Sequence, residues 1–321
     1  MSRRTVHLLA GLPGTGAADV DTALRDGRTL IGPDGREVAA GGSDAAQIDR
    51  AVIDVRHTHK EHGLRRRDVA GEWDSVCRGI LKHKGATVIA HEGLASADRD
   101  QVALMLDGLS GCKVHLWLTV PDLGSQLSAA WTALVNAGQA PKFERYADRV
   151  LAGDTSDPVA RDFWTSRDPV EVIGRWLPAL KPGRIHVVIP HDDPASASWQ
   201  ALVASGFTGD TAVEFPTADP PAPLAGPDLN LPLLRITDGW TKAITAGGFE
   251  VHGDPADLAP TSDGQARLSG DDADLRLQLT TTALARAMAE VAQLRADNAA
   301  LAERASKAER KWRKLHRQHT P

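Results

Sequence analysis

Apolar residues first gather in a short block, Thr5 to Ala10, which a Gly/Pro-rich turn closes and the helical pattern Ala17-Ala18-Asp19-Val20-Asp21-Thr22-Ala23-Leu24 follows. A short apolar run, a turn and an amphipathic segment read as strand, loop and helix. Farther along, Trp73, Val76, Cys77, Ile80 and Leu81 recur at i, i+3, i+4, i+7 and i+8 and make one apolar face of a helix over 70–83. Cys77 lies on that face, where core packing is its expected role. Ala86 to Ala90 reads as a buried strand ending at His91-Glu92-Gly93, with a helix from Asp100 to Leu109 behind it. Lys113 to Val120 is the next strand and Asp122 to Ala137 its helix. A helix over Val170–Leu180 then leads into the buried strand Arg184-Ile185-His186-Val187-Val188-Ile189-Pro190. Strands alternating with helices at this spacing predict an α/β fold with a parallel sheet covered on both faces.

The pattern changes after about residue 208, because the stretch from Phe215 to Pro232 contains Ala218-Asp219-Pro220-Pro221-Ala222-Pro223, which continues neither a helix nor a central strand. One further helix, Leu233 to Ala246, closes a domain taken as residues 1–250. Residues 251–273, polar from His252 to Asp272, read as a linker, and residues 274–321 as a C-terminal coiled-coil helix. In that helix Leu284, Val291, Asn298, Ala305 and Trp312 fall at heptad a, and Ala287, Leu294, Leu301, Ala308 and Leu315 at d. A single Asn at a with Leu on either side at d favours a parallel two-stranded coil, so the expected partner is a second copy joined through Leu284–Leu315. Glu290 would then face Arg295 of the other strand, and Arg304 would face Glu309, each pair worth a few tenths of a kcal/mol. The alternative is a single helix packed on its own domain, since Ala287, Ala305 and Ala308 weaken the seam.

Composition narrows the class. Of 321 residues, 42% are hydrophobic and 25% charged, which fits a globular chain and excludes fibrous and wholly disordered ones. Cys77 and Cys112 are too few for a disulfide framework and fit a reducing compartment. No apolar stretch approaches the roughly 20 residues of a membrane span, and the run after Arg3 and Arg4 lacks the length of a signal peptide, so a cytoplasmic protein is expected. A net charge of −5 argues against nucleic-acid binding by the whole molecule. His57, His59 and His62 lie among Arg56, Lys60, Arg65, Arg66 and Arg67, which repel a cation, so a solvated loop is expected there in preference to a zinc site.

Gly11-Leu12-Pro13-Gly14-Thr15-Gly16-Ala17-Ala18 lies between the first strand and helix, where backbone N–H groups and the helix dipole can hold an anion. Its spacing is that of a nucleotide-binding P-loop, but Ala17 stands in place of the lysine and Ala18 in place of the magnesium-binding hydroxyl, which leaves a nucleotide hydrolase a minor reading. Gly11 to Gly16 resembles instead the G-L-P-K-T-G-T-T loop of sulfotransferases that use 3′-phosphoadenosine-5′-phosphosulfate (PAPS), especially a bacterial branch common in actinobacteria. Matches follow in order at Gly71-Glu72-Trp73-Asp74, Val88-Ile89-Ala90-His91-Glu92, Leu118-Thr119-Val120-Pro121-Asp122-Leu123 with Gln126 and Trp131, Phe163-Trp164 with Asp168, and Arg175-Trp176 before Arg184-Ile185-His186-Val187-Val188. Together they span about residues 5–205. The resemblance implies a P-loop-type sulfotransferase-like fold, a donor site at Gly11, Gly14, Thr15 and Gly16, and a catalytic base at His91 or Glu92 that takes a proton from an acceptor hydroxyl.

Departures from the family pattern fall on the groups that would hold the donor. Gly14 replaces the loop lysine, Ala17 and Ala18 replace the hydroxyl pair, Pro121 replaces the arginine for the 3′-phosphate, and Ala129 stands where a serine would lie, with Ser125 and Ser128 close by. At roughly 1.5–3 kcal/mol per lost charged contact, only partly additive, donor affinity falls by several orders of magnitude. A base without fixed positive charge at the leaving group does not make a sulfuryl transferase. The expected function is therefore a binding or scaffolding module with a degenerate donor site, dimerised by its coil; the alternative is an active sulfotransferase using PAPS and His91 or Glu92.

Overall fold

A computed structural model describes residues 4–139, 141–210, 213–215 and 230–259, with separate positions between 277 and 302. The first half runs β1 (Thr5–Leu9), α1 (Ala17–Arg25), β2 (Leu30–Ile31), β3 (Ala39–Ala40), α2 (Ala45–Arg56), α3 (Arg66–Val69), α4 (Glu72–Lys82), β4 (Thr87–Ala90), α5 (Arg99–Gly108) and β5 (Lys113–Thr119). It continues with α6 (Leu123–Asn136), α7 (Phe143–Leu151), α8 (Pro158–Arg167), α9 (Pro169–Trp176), β6 (Ile185–Val188), α10 (Pro194–Ala204), β7 (Thr208–Gly209), α11 (Asn230–Ala246) and β8 (Glu250–His252). Six strands form one sheet in the order β3-β4-β1-β5-β6-β8, and every pairing in it is parallel. The two-residue strands β2 and β7 pair antiparallel outside it. The expected α/β architecture is thus present, with Thr5–Leu9 and Thr87–Ala90 as neighbours.

Both faces of the sheet are covered. Val6 and Leu8 of β1, Leu116 and Leu118 of β5, and Ile185 and Val187 of β6 are wholly buried on one face. Each such side chain contributes on the order of 1.5–3 kcal/mol through burial. The other face carries Leu9, Val88, Trp117 and Val188, which pack with Val20 of α1 and with Trp199 and Leu202 of α10. Thr119 also reaches α10 from this face, its hydroxyl 2.7 Å from that of Ser198.

Local departures from the sequence pattern have physical causes. The helix expected over 70–83 forms as α4 and buries Trp73, Val76, Cys77 and Ile80, but Leu81 is 40% exposed because it lies at the rim of that face. Cys77 is buried as expected, and burial pushes its thiol up to about 12. The helix expected over Val170–Leu180 begins at Pro169 and ends at Trp176. His252, read from the sequence as the first residue of a polar connection, is the last residue of β8 and pairs with Val188. Residues 132–141 and 270–321 cluster as a second compact unit. The seam expected over 284–315 lies mostly outside the described residues, although Leu284, Met288 and Val291 are helical and exposed. Among the described helices, none is long and apolar enough to cross a membrane.

Asp54 of α2 explains the Gly71-Glu72-Trp73 segment in structural terms. Its buried carboxylate accepts from Gly71 N at 3.0 Å and Trp73 N at 3.3 Å, capping α4, and also from the Arg66 guanidinium. Glu72 meets Gln47 and Arg50 of α2 at 3.3 and 3.4 Å. Replacing Asp54 with Ala strands the first N–H groups of α4 and is expected to cost about 2–3 kcal/mol, read as a lower urea midpoint with an unchanged slope.

Candidate functional site

The turn from β1 to α1 is held open by backbone geometry. Gly14 and Gly16 have φ of +87° and +73°, and a Cβ at Gly16 would lie 2.8 Å from Ala195 Cβ, so this position needs glycine for space as well as conformation. The Thr15 hydroxyl turns inward and donates to Leu12 O at 2.7 Å, which leaves it buried inside the loop. Three consecutive N–H groups therefore converge on one point at the N-terminus of α1, as an anion cradle requires.

A carboxylate of the same chain is the anion that these groups bind. Glu92 Oε2 accepts from Gly14 N at 2.9 Å, and Glu92 Oε1 accepts from Thr15 N at 3.0 Å and Gly16 N at 3.1 Å. The strand register delivers it there, because His91 N donates to Leu9 O at 3.0 Å and extends the β1–β4 ladder past its last paired residue. The structure thus brings Gly14, Thr15, Gly16 and Glu92 together, with Gly11 behind them, where a Cβ would meet Thr15 Oγ1 at 2.2 Å. His91 points elsewhere. Its Nδ1 accepts from Gly93 N at 2.9 Å and its Nε2 lies 3.2 Å from Asp49 Oδ1, which fixes the neutral ring with its proton on Nε2.

Charge around the loop is mostly negative. Asp19 lies in the first turn of α1, and its carboxyl is raised above the usual range by burial and then by the nearby charge of Asp193. Arg167 of α8 is the cation that reaches the loop; it is 7% exposed, donates to Pro13 O at 2.5 Å and lies over the Phe163 ring. Burial lowers its pKa, while Tyr146 and Glu92 favour its charge. Ala129 lies across from Gly14, 3.4 Å from where a Cβ would stand. Asp168 caps α9 through Val170 N at 2.9 Å and Arg175 donates to Ala95 O and Thr165 O, so these matched residues hold helices in place.

The face of the sheet that carries Trp117 also holds a second polar array, running diagonally across the strands, that the periodicity of the sequence did not single out. His7, His115, His186 and His252 come from β1, β5, β6 and β8 and share one face. His115 Nδ1 is 2.9 Å from His186 Nε2, and His186 Nδ1 is 3.1 Å from His252 Nε2. Trp117 Nε1 donates to His7 Nδ1 at 3.0 Å, and the Trp117 ring stacks on His186 with centroids 3.9 Å apart. One histidine at alternating positions on several apolar strands is the only sequence signal for this row. Among the described residues no group of His, Cys, Asp or Glu is arranged to hold a metal.

No protein-family model and no curated protein matches the chain. Among solved structures it is similar to a sulfotransferase from Alicyclobacillus acidocaldarius, with a TM-score of 0.42 and 13% identity, over 77% of this chain and 93% of that one.

Protonation of the histidine row opposes folding. Burial, followed by the neighbouring histidines and Lys113, lowers His7 to about 3; burial, then Lys113 and Arg184, lowers His115 to about 4. His186 is lowered to about 3, chiefly by burial. The unfolded chain takes up these protons near pH 6.5 while the folded one does not, so stability is complete above about pH 6.5 and is lost as pH falls toward 3. The enclosed His7 alone can add a slope of up to about 1.4 kcal/mol per pH unit. Urea unfolding at pH 7.5, 6 and 5 is expected to show a steady loss of stability that His7→Gln reduces; a flat profile would contradict it.

Proposed function

We propose that this chain is a sulfotransferase-like α/β protein whose donor loop is closed by its own Glu92 carboxylate and which works as a binding module. The single observation that carries this reading is the set of three hydrogen bonds from Gly14, Thr15 and Gly16 N–H to Glu92. Charge-assisted bonds of this kind contribute on the order of 1.5–3 kcal/mol each. A carboxylate fixed at the end of a strand competes at an effective concentration of millimolar or more, so a phosphate donor must displace a tethered rival. Asp19 and Asp193 repel a donor further, and Gly14, Ala17 and Ala18 offer it no side-chain charge or hydroxyl. The resemblance of Gly11–Gly16 and of the later segments to PAPS-dependent sulfotransferases supplies the family of the reading.

The alternative is an active sulfotransferase in which Arg167, beside the loop, supplies the positive charge and Glu92 swings out to act as the base. Calorimetry with 3′-phosphoadenosine-5′-phosphate separates the two. The native chain is expected to bind with a dissociation constant above about 100 μM, and Glu92→Ala to tighten binding by about tenfold or more by freeing the three N–H groups. Micromolar binding by the native chain would favour the enzyme, and no gain in Glu92→Ala would dismiss the plug. Gly14→Lys is a poor test, because it forces a side chain onto backbone at φ +87°.

We also propose that the module dimerises through residues 284–315. Leu277, Leu284 and Val291 recur every seven residues and are 66%, 61% and 45% exposed on the isolated chain. Sedimentation equilibrium of the full chain is expected to give a dimer at tens of micromolar and a monomer for the Leu284→Lys, Val291→Lys pair; a monomeric native chain defeats the proposal.

A further inference from the structure

At the amino ends of the central strands, far along β1 from the loop, lies a cavity of about 460 Å³. Thr5 and Lys113, the first residues of β1 and β5, form its edge, and His7, His115, His186 and Trp117 form its floor. Phe207 closes one wall, its ring edge-on to His7 with centroids 5.0 Å apart. The volume falls in the range of sites for small organic ligands.

The rim has a charge opposite to that of the molecule. Arg4, Arg36, Lys84 and Lys113 line it with a single carboxylate, Asp34, giving a local net charge of +3 on a chain of −5. Asp34 pairs with Arg36 at 3.6 Å, and among the described residues no ion pair involves Arg4, Lys84 or Lys113. Arg4 and Arg36 are held in place by donating to His83 O and Lys84 O at 2.9 Å each. Concentrated cations over a low-dielectric floor attract a compact anion.

The floor adds a neutral, directional element. Indole N–H can only donate, so the bond from Trp117 to His7 Nδ1 requires a lone pair on that nitrogen and leaves the His7 proton on Nε2. His115 uses Nδ1 toward His186, which leaves its Nε2 for a ligand. Because the His115–His186–His252 bonds share their protons in one direction, an anion that accepts from His115 selects one tautomer for the whole chain of rings. A metal is a poor occupant, since these nitrogens already bond to one another and the rim is cationic.

We propose that this cavity binds a small phosphate monoester carried on a flat ring, its phosphate against Arg4, Lys84 and Lys113 and its ring over the His115–His186 row. The site is separate from the donor loop and does not depend on how that loop is read. Phenyl phosphate, titrated into the full-length protein and followed by histidine ring ¹⁵N shifts, is the probe. It is expected to bind with a dissociation constant below about 1 mM and to move the His7, His115 and His186 resonances, His186 and His252 shifting together as tautomers exchange. Lys113→Glu and Lys84→Glu, both at exposed positions, are each expected to weaken the binding read from these histidine shifts about tenfold or more. Silence of these resonances up to about 10 mM, equal affinity for inorganic phosphate, or indifference to both lysine substitutions would each overturn the proposal.

Discussion

Everything in this fold depends on the burial of β1 between β4 and β5. A strand enclosed on both faces must send every backbone group into a ladder, and parallel pairing then aligns all strand ends of one kind along one edge of the sheet. The chain leaving β1 therefore meets the chain leaving β4 at the carboxyl edge. Ala10 N continues the pairing to Trp117 O at 2.8 Å and His91 N to Leu9 O at 3.0 Å, so the loop after one strand and the acid after the other arrive side by side. Glu92 reaches Gly14, Thr15 and Gly16 because the register leaves it one residue beyond the last rung.

The two edges of the sheet consequently have opposite electrostatics. At the carboxyl edge the N–H groups and the positive end of α1 attract an anion, and the chain meets that demand itself with Glu92, adding Asp19 and Asp193 nearby. Arg167 balances part of this charge from within the core. At the amino edge the cations of the rim have one carboxylate among them, and the histidines beneath are held neutral chiefly by burial, with Lys113 of the rim adding to it. One edge is neutralised internally; the other carries an uncompensated field over a cavity.

Much of this was legible in the residues alone. Val6 and Leu8, Val88 and Ile89, Leu116 and Leu118 are apolar in short runs because both faces of a parallel strand are covered, and that requirement gives the same signal in any sequence. The spacing Trp73, Val76, Cys77, Ile80 likewise located α4, and the glycines of 11–16 marked a turn that needs left-handed backbone. These are local constraints, satisfied within a few residues of chain. What the sequence could not decide was partnership at a distance. His91 and Glu92 were equal candidates for a base until strand register turned one toward Asp49 and the other into the loop. His7, His115, His186 and His252 are scattered over 245 positions and carry no periodic signal, since lining up on one face depends on which strands pair and in what register. Propensity and hydrophobic spacing determine elements because their physics is local, whereas a site is made of side chains brought together across the sheet, and only the tertiary pairing fixes which ones meet.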